Sequence, residues 1–230
     1  MKTWILRLSL FFNLQVLVLI GYGWWMRGDF VADFLRPNYL HKTSFFDTYQ
    51  LLPGDVVMLG DSITEGGRWH EIFPQVAVKN RGIGGDTSPG LLDRLDQVTS
   101  ARAAAIFLKI GTNDLTHGAS SEERPDVYRE IVTTIRRDAP ETALYLQSVL
   151  PRDQEYRNEV EAYNRVIKDL ADEFGLVYVD LYDHFLAADG SIDDAYSVDE
   201  LHLNGAGYQL WQSLLEPYMA RYRPDAVSSE

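Results

Sequence analysis

Val56-Val57-Met58-Leu59-Gly60-Asp61-Ser62-Ile63-Thr64 is an apolar run that breaks at once into a glycine, an acid and a serine. A continuous hydrophobic run of this length reads as a strand buried on both faces, and such strands belong to parallel sheets. Ligands of open α/β sheets bind at the carboxyl ends of the strands, so Ser62 stands where a reactive side chain is presented. Outward from this stretch the same grammar repeats. Strand-like runs occupy 55–60, 75–79, 104–110, 143–149 and 176–180, with helical patterns between them. Ser88-Pro89 opens one helix as a capping serine followed by proline. Ser120 and Glu123 form a capping-box pattern before a helix over 125–138, whose Val127, Ile131 and Ile135 share a face. Val160, Tyr163, Ile167, Leu170 and Phe174 step by three and four, as a buried stripe does. Asn204-Gly205 reads as the N-cap of a last helix with apolar Leu210, Leu214 and Tyr218. Strands alternating with helices imply an α/β fold, a parallel sheet covered on both faces in a three-layer sandwich.

A serine hydroxyl attacks a carbonyl poorly until an imidazole takes its proton, and a carboxylate must hold that imidazole in the right tautomer. Asp199-Glu200-Leu201-His202 supplies both, with side chains that can emerge from one turn. The reaction also needs donors aimed where negative charge develops on the carbonyl oxygen. Two strand-following segments offer them: Asn80-Arg81-Gly82-Ile83-Gly84-Gly85-Asp86, and Gly111-Thr112-Asn113-Asp114. Glycine lets backbone N–H groups approach a ligand closely. An asparagine amide donates without adding charge.

With these four segments in order, the chain resembles the SGNH hydrolases, also called the GDSL esterase/lipase family, from about Asp55 to Tyr208. The resemblance implies a five-stranded, flavodoxin-like sheet of order 2-1-3-4-5. It also implies that Ser62 is the nucleophile and that Asp199 and His202 complete a triad. The oxyanion donors it implies are the backbone of Ser62 and Gly85, with Gly84 as fallback for the latter, and the Asn113 amide. Ile63 stands where the family name has leucine, an apolar exchange of no consequence. Asn80 to Thr87 is also similar to the corresponding segment of the platelet-activating-factor acetylhydrolase catalytic subunits, which tilts the expectation towards acetyl esters.

Other chemistries are excluded by their motifs. Thr64 occupies the second glycine's place in G-x-S-x-G, and Thr87 the third glycine's place in a dinucleotide fingerprint. Neither a P-loop nor H-E-x-x-H is present, so no cofactor and no metal is expected. The chain has no cysteine, which removes disulfides and thiolate chemistry. His184 reads as surface, His70 as a solvated helix position near the cleft, and His41 and His117 as linker and loop. Asp61 and Asp114 read as braces for their turns, and Arg81 as a residue that does not touch substrate.

The net charge is −13, with +2 in residues 1–36 and −15 beyond them, a surface that repels nucleic acid. Leu8 to Trp25 is almost wholly apolar, and its eighteen residues approach the roughly 20 needed to span a bilayer. Lys2 and Arg7 precede it, which favours a cytoplasmic N-terminus, and Tyr22, Trp24 and Trp25 suit the far interface. Gly21-Tyr22-Gly23-Trp24 is too bulky for a cleavage site, so an uncleaved transmembrane helix is expected, with secretion after cleavage as the alternative. The expected organisation is a membrane anchor or signal segment over 1–30, a linker and lead-in over 31–54, a hydrolase domain over 55–223 and a tail over 224–230. The catalytic domain would then lie outside the cytoplasm.

The function expected is hydrolysis of short-chain acyl esters, acetyl first, on a small-molecule or carbohydrate substrate. A lysophospholipase or longer-chain lipase is the alternative, and an anchored ester- or glycan-binding protein without turnover the non-enzyme one. The polar segments Leu115–Pro125 and Ala187–Val198 are expected to rim the cleft.

Overall fold

Strands buried on both faces build the centre of the molecule, a computed structural model that describes residues 35–224. The expected membrane-spanning segment lies outside those residues, as does 225–230. Among the described residues no helix is long and apolar enough to cross a membrane. The chain divides into two units, Met1–His41 and Lys42–Glu230. Of the first, residues 35–41 are described and are helical. The second contains everything that follows.

Five parallel strands, β1 (Val56–Gly60), β2 (Val78–Gly82), β3 (Ala105–Lys109), β4 (Ala143–Gln147) and β5 (Val177–Val179), pair in the order β2-β1-β3-β4-β5. Side chains of successive strand residues point to opposite faces, and both faces are covered. On one, Val57, Leu59, Ile106, Leu108, Leu144 and Leu146 form a core with the helices α2 (Ser88–Asp93), α3 (Arg124–Asp138) and α4 (Arg157–Phe174). On the other, Val56, Met58, Ala105, Phe107 and Tyr145 meet Trp69 and the final helix α5 (Gly205–Met219). This is the three-layer sandwich. A further short helix, α1 (Ser62–Gly66), leaves the end of β1 directly.

Several local expectations shift. The triplet Val76-Ala77-Val78 predicts a strand at 75–79, whereas β2 runs three residues later and carries Lys79, Asn80 and Arg81. β2 is an edge strand with one neighbour, and its polar side chains find partners of their own. The Arg81 guanidinium donates to the Tyr49 carbonyl and stacks on the Phe46 ring at 4.5 Å. Those partners lie in the lead-in, where residues 42–48 are helical and Phe46 is buried. Thr87 caps α2, accepting from the Gly90 N–H, so Ser88 and Pro89 are its first two residues. Ser120 and Glu123 make the reciprocal capping-box bonds in the turn just before α3. Asn204 caps α5 through the Gly207 N–H at 3.0 Å. The buried stripe of α5 is Gly207, Trp211, Leu215 and Met219, and Leu210, Leu214 and Tyr218 flank it half-buried.

Candidate active site

The end of β1 sets the position of Ser62. Asp61 caps α1 by accepting the Ile63 N–H at 3.0 Å, which leaves Ser62 as the first helical residue. Its N–H is one of the orphan donors that every helix start exposes. Asn80 of β2 holds the other end of this helix: its amide donates to the carbonyls of Thr64, Glu65 and Gly67 at 2.9–3.1 Å. β2 approaches so closely that a Cβ on Gly82 would lie 2.2 Å from the Glu65 nitrogen. Only glycine fits there.

Beneath the serine is a buried ion pair. Lys109 Nζ lies 3.4 and 3.3 Å from the two carboxylate oxygens of Asp61, and both side chains are 0% exposed. The sequence shows Lys109 inside an apolar strand run, and nothing in its neighbours marks it as the partner of Asp61.

The D-x-x-H segment reaches the serine from 140 residues away. His202 Nε2 is 3.1 Å from Ser62 Oγ, and His202 Nδ1 is 2.8 Å from Asp199 Oδ2. A carboxylate only accepts, so Nδ1 carries the proton and Nε2 of the neutral imidazole faces the serine hydroxyl as an acceptor. Asp199 Oδ1 accepts from the backbone of His202 and Leu201 and from Ser197 Oγ. Glu200 takes a positive φ of 60°, which turns the chain tightly enough for both ends of the motif to meet. Partial burial alone would raise the Asp199 carboxyl, but the hydrogen bonds from the His202 ring and from the His202 and Leu201 backbones hold it at about 2.

A carboxyl lowered from 3.8 to about 2 contributes stability that is complete above pH 4 and is lost as pH falls towards 2. The melting temperature of the wild type should therefore exceed that of Asp199→Asn near pH 5, and the gap should close on acidification to about pH 2. Parallel melting curves across that range would show that Asp199 carries no such linkage.

The loop after β2 is tied to the same place. The Ile83 N–H and Arg94 Nη2 both donate to the Gly60 carbonyl, at 3.1 and 3.2 Å, and Arg94 Nε donates to Asp86 at 2.8 Å. Burial pushes the Asp86 carboxyl up to about 6, against the pull of Arg94. Gly85 has φ +76°, a left-handed conformation that suits glycine. From the loop after β3, Asn113 Nδ2 donates to the Asp86 carbonyl at 2.8 Å, and an amide carries a second N–H beyond that one. Asp114 accepts from Ser88 N, Ser88 Oγ and Ala119 N, which makes it the expected brace.

Ser62, His202 and Asp199 are thus joined by hydrogen bonds, and the loops of Gly85 and Asn113 are laced to one another and to the end of β1. Side chains of His202 and Asp199 are 48% and 49% exposed, so the pair opens to solvent rather than into an enclosed cavity. His70 and His184 are exposed, and Arg81 is buried against the lead-in. His117, read from sequence as a plain loop residue, instead lies against the Gly85 carbonyl at 3.4 Å. Among the described residues no cluster of His, Cys, Asp and Glu is arranged to hold a metal ion.

The profile of the GDSL-like Lipase/Acylhydrolase family matches residues 58–210. The chain belongs to this family. It is accordingly an SGNH-type hydrolase of acyl esters. Platelet-activating factor acetylhydrolase IB subunit alpha1 of Bos taurus is 28% identical over 180 residues, which cover 74% of this chain and 76% of that protein. The alpha2 subunit of Rattus norvegicus is 29% identical over 164 residues, 67% of this chain and 71% of its own. Among solved structures, a Streptococcus pneumonia protein provisionally described as a platelet activating factor superposes with a TM-score of 0.77 at 26% identity, covering 84% of this chain and 98% of its own. A GDSL-like lipase of Bacteroides thetaiotaomicron shares the fold, with a TM-score of 0.70 at 22% identity over 80% of this chain and 98% of its own.

Proposed function

We propose that this chain hydrolyses short-chain esters, acetyl esters first, through an acyl-enzyme on Ser62, and that its substrates include acetylated carbohydrate outside the cytoplasm. The Ser62–His202–Asp199 hydrogen-bond chain is the observation that carries the mechanism. His202 Nε2 takes the proton of Ser62 Oγ as the oxygen attacks the ester carbonyl, and Asp199 stabilises the imidazolium. The carbonyl electrons move onto oxygen, which the N–H groups of Ser62 and Gly85 and the Asn113 amide hold. Collapse of this intermediate expels the alcohol, which receives the proton from His202. Water then repeats the sequence in the second half, releasing the acid and restoring Ser62.

The acetyl preference is supported by relatives that are themselves named acetylhydrolases and match most of the chain. The carbohydrate reading is supported by the open, half-exposed His202–Asp199 pair and by the polarity of the 115–125 and 187–198 segments. The location rests on the apolar Leu8–Trp25 segment, read as an anchor with a cytoplasmic N-terminus. Initial rates of the detergent-solubilised full chain on p-nitrophenyl esters from acetyl to dodecanoyl test the acyl preference. Rates fastest on acetyl support it, and rates fastest on long chains replace it with a lipase. Protease accessibility of the domain in intact and opened cells tests the location; protection in intact cells with cleavage only after the inner membrane is opened would refute it.

Asn113→Ala should lower kcat by about 100- to 1,000-fold, the usual loss for one oxyanion donor, with little change in KM. A variant that folds and keeps near-normal kcat would remove Asn113 from the oxyanion hole.

A further inference from the structure

Two consecutive carbonyls of the oxyanion loop are gripped from the loop after β3. Asn113 holds the Asp86 carbonyl at 2.8 Å, and His117 Nε2 meets the Gly85 carbonyl at 3.4 Å. The carbonyl can only accept, so His117 Nε2 is the donor. The other ring nitrogen, Nδ1, lies 2.9 Å from Thr116 Oγ1, which also lies 3.1 Å from the Asn113 carbonyl. With the ring neutral and its proton on Nε2, Nδ1 accepts from the Thr116 hydroxyl, whose single proton serves either this nitrogen or the Asn113 carbonyl but not both at once. His117 therefore ties the Gly85 backbone to the segment that follows Asn113, and Gly85 and Asn113 are the two residues proposed as oxyanion donors beside Ser62.

The turn from Gly84 into Gly85 has no side chain to fix it, and Gly85 holds φ +76°. Glycine visits many conformations at little cost, so the direction of its N–H depends on the bonds that hold this turn. A donor must be in place before charge develops, since reorganisation during the reaction forfeits its benefit. The neighbouring contacts, Ile83 to Gly60 and Asn113 to Asp86, fix the loop on either side of Gly85, the Asp86 N–H closes the turn on the Ile83 carbonyl at 3.1 Å, and His117 adds a second hold on that same Gly85–Asp86 peptide. His117 is exposed, so its contribution to burial is small.

We infer that His117 is a positioning residue for the oxyanion hole, acting through the Gly85 carbonyl rather than on substrate. The inference rests on the proposed roles of Ser62, Gly85 and Asn113. The test compares His117→Ala and His117→Gln in the full chain on p-nitrophenyl acetate, with Ser62→Ala beside them and a melting curve for each. One hydrogen bond to a neutral acceptor is a modest interaction, so His117→Ala should lower kcat by about three- to tenfold with KM unchanged. Glutamine keeps an N–H donor and should recover most of the loss, and both variants should melt with the wild type. An unchanged kcat in His117→Ala would overturn the inference, as would a rise in KM alone, which marks direct substrate contact. Glutamine as slow as alanine would also overturn it. Full activity in Ser62→Ala would instead bring down the catalytic reading beneath it.

Discussion

Ser62→Ala is expected to lower kcat on the best ester substrate by about a millionfold, and His202→Ala by a similar factor. The two losses should not add, because the proton that leaves Ser62 Oγ is the one that His202 Nε2 receives across 3.1 Å. Once either partner is missing, the other has no reaction left to assist. The double variant should therefore be no slower than either single one, to within a few fold. What remains is the effect of the oxyanion donors and of binding, about 10³- to 10⁴-fold over the uncatalysed reaction. Ser62 is half-buried at the start of α1 and His202 is exposed, so neither change should prevent folding. Rates measured with enzyme in stoichiometric excess over substrate would reach the required sensitivity. Losses that multiply, or a Ser62→Ala variant within tenfold of wild type, would mean that the pair does not act as nucleophile and base.

The second large effect is on stability. Lys109→Met is expected to destabilise the domain by about 3–5 kcal/mol, because it leaves the Asp61 carboxylate buried without its cation. The double variant Asp61→Asn with Lys109→Met removes both charges and keeps an N-cap oxygen on α1, so it should regain most of that loss. Chemical denaturation of wild type, single and double variants gives the comparison directly. A single variant as stable as the wild type would show that water or another group compensates Asp61. A double variant no better than the single would show that the fit of the lysine side chain in its fully buried site, rather than its pairing with Asp61, is what matters.

These two predictions draw on residues of very different legibility. Ser62 announces itself, because a fully buried strand followed by Gly-Asp-Ser is a local pattern. Asp199 and His202 are legible for the same reason, since their spacing needs only one turn. The layers of the fold follow from periodicity, and the two faces of β1 and β3 alternate between the two cores as strand geometry requires. Lys109 is different. Its meaning lies in Asp61, 48 residues earlier, and a lone lysine in an apolar run carries no sign of a partner. Asn80 and Arg81 misplace β2 for a related reason: their polarity argues against a strand until the carbonyls of Thr64, Glu65, Gly67 and Tyr49 are seen to satisfy them. His117 is hidden in the same way, since its partner is a backbone atom of a loop joined to another strand. Contacts from a side chain to a distant backbone leave no periodic trace, whereas burial does.

The most direct measurement is to quench the full chain during turnover of an acetyl ester and map the acetylated residue by peptide mass spectrometry. An acetyl group should accumulate on Ser62 in wild type, decay as substrate is exhausted, and be absent from Ser62→Ala. Turnover with no covalent acetyl group, or with one mapped to a residue other than Ser62, would contradict an acyl-enzyme on Ser62.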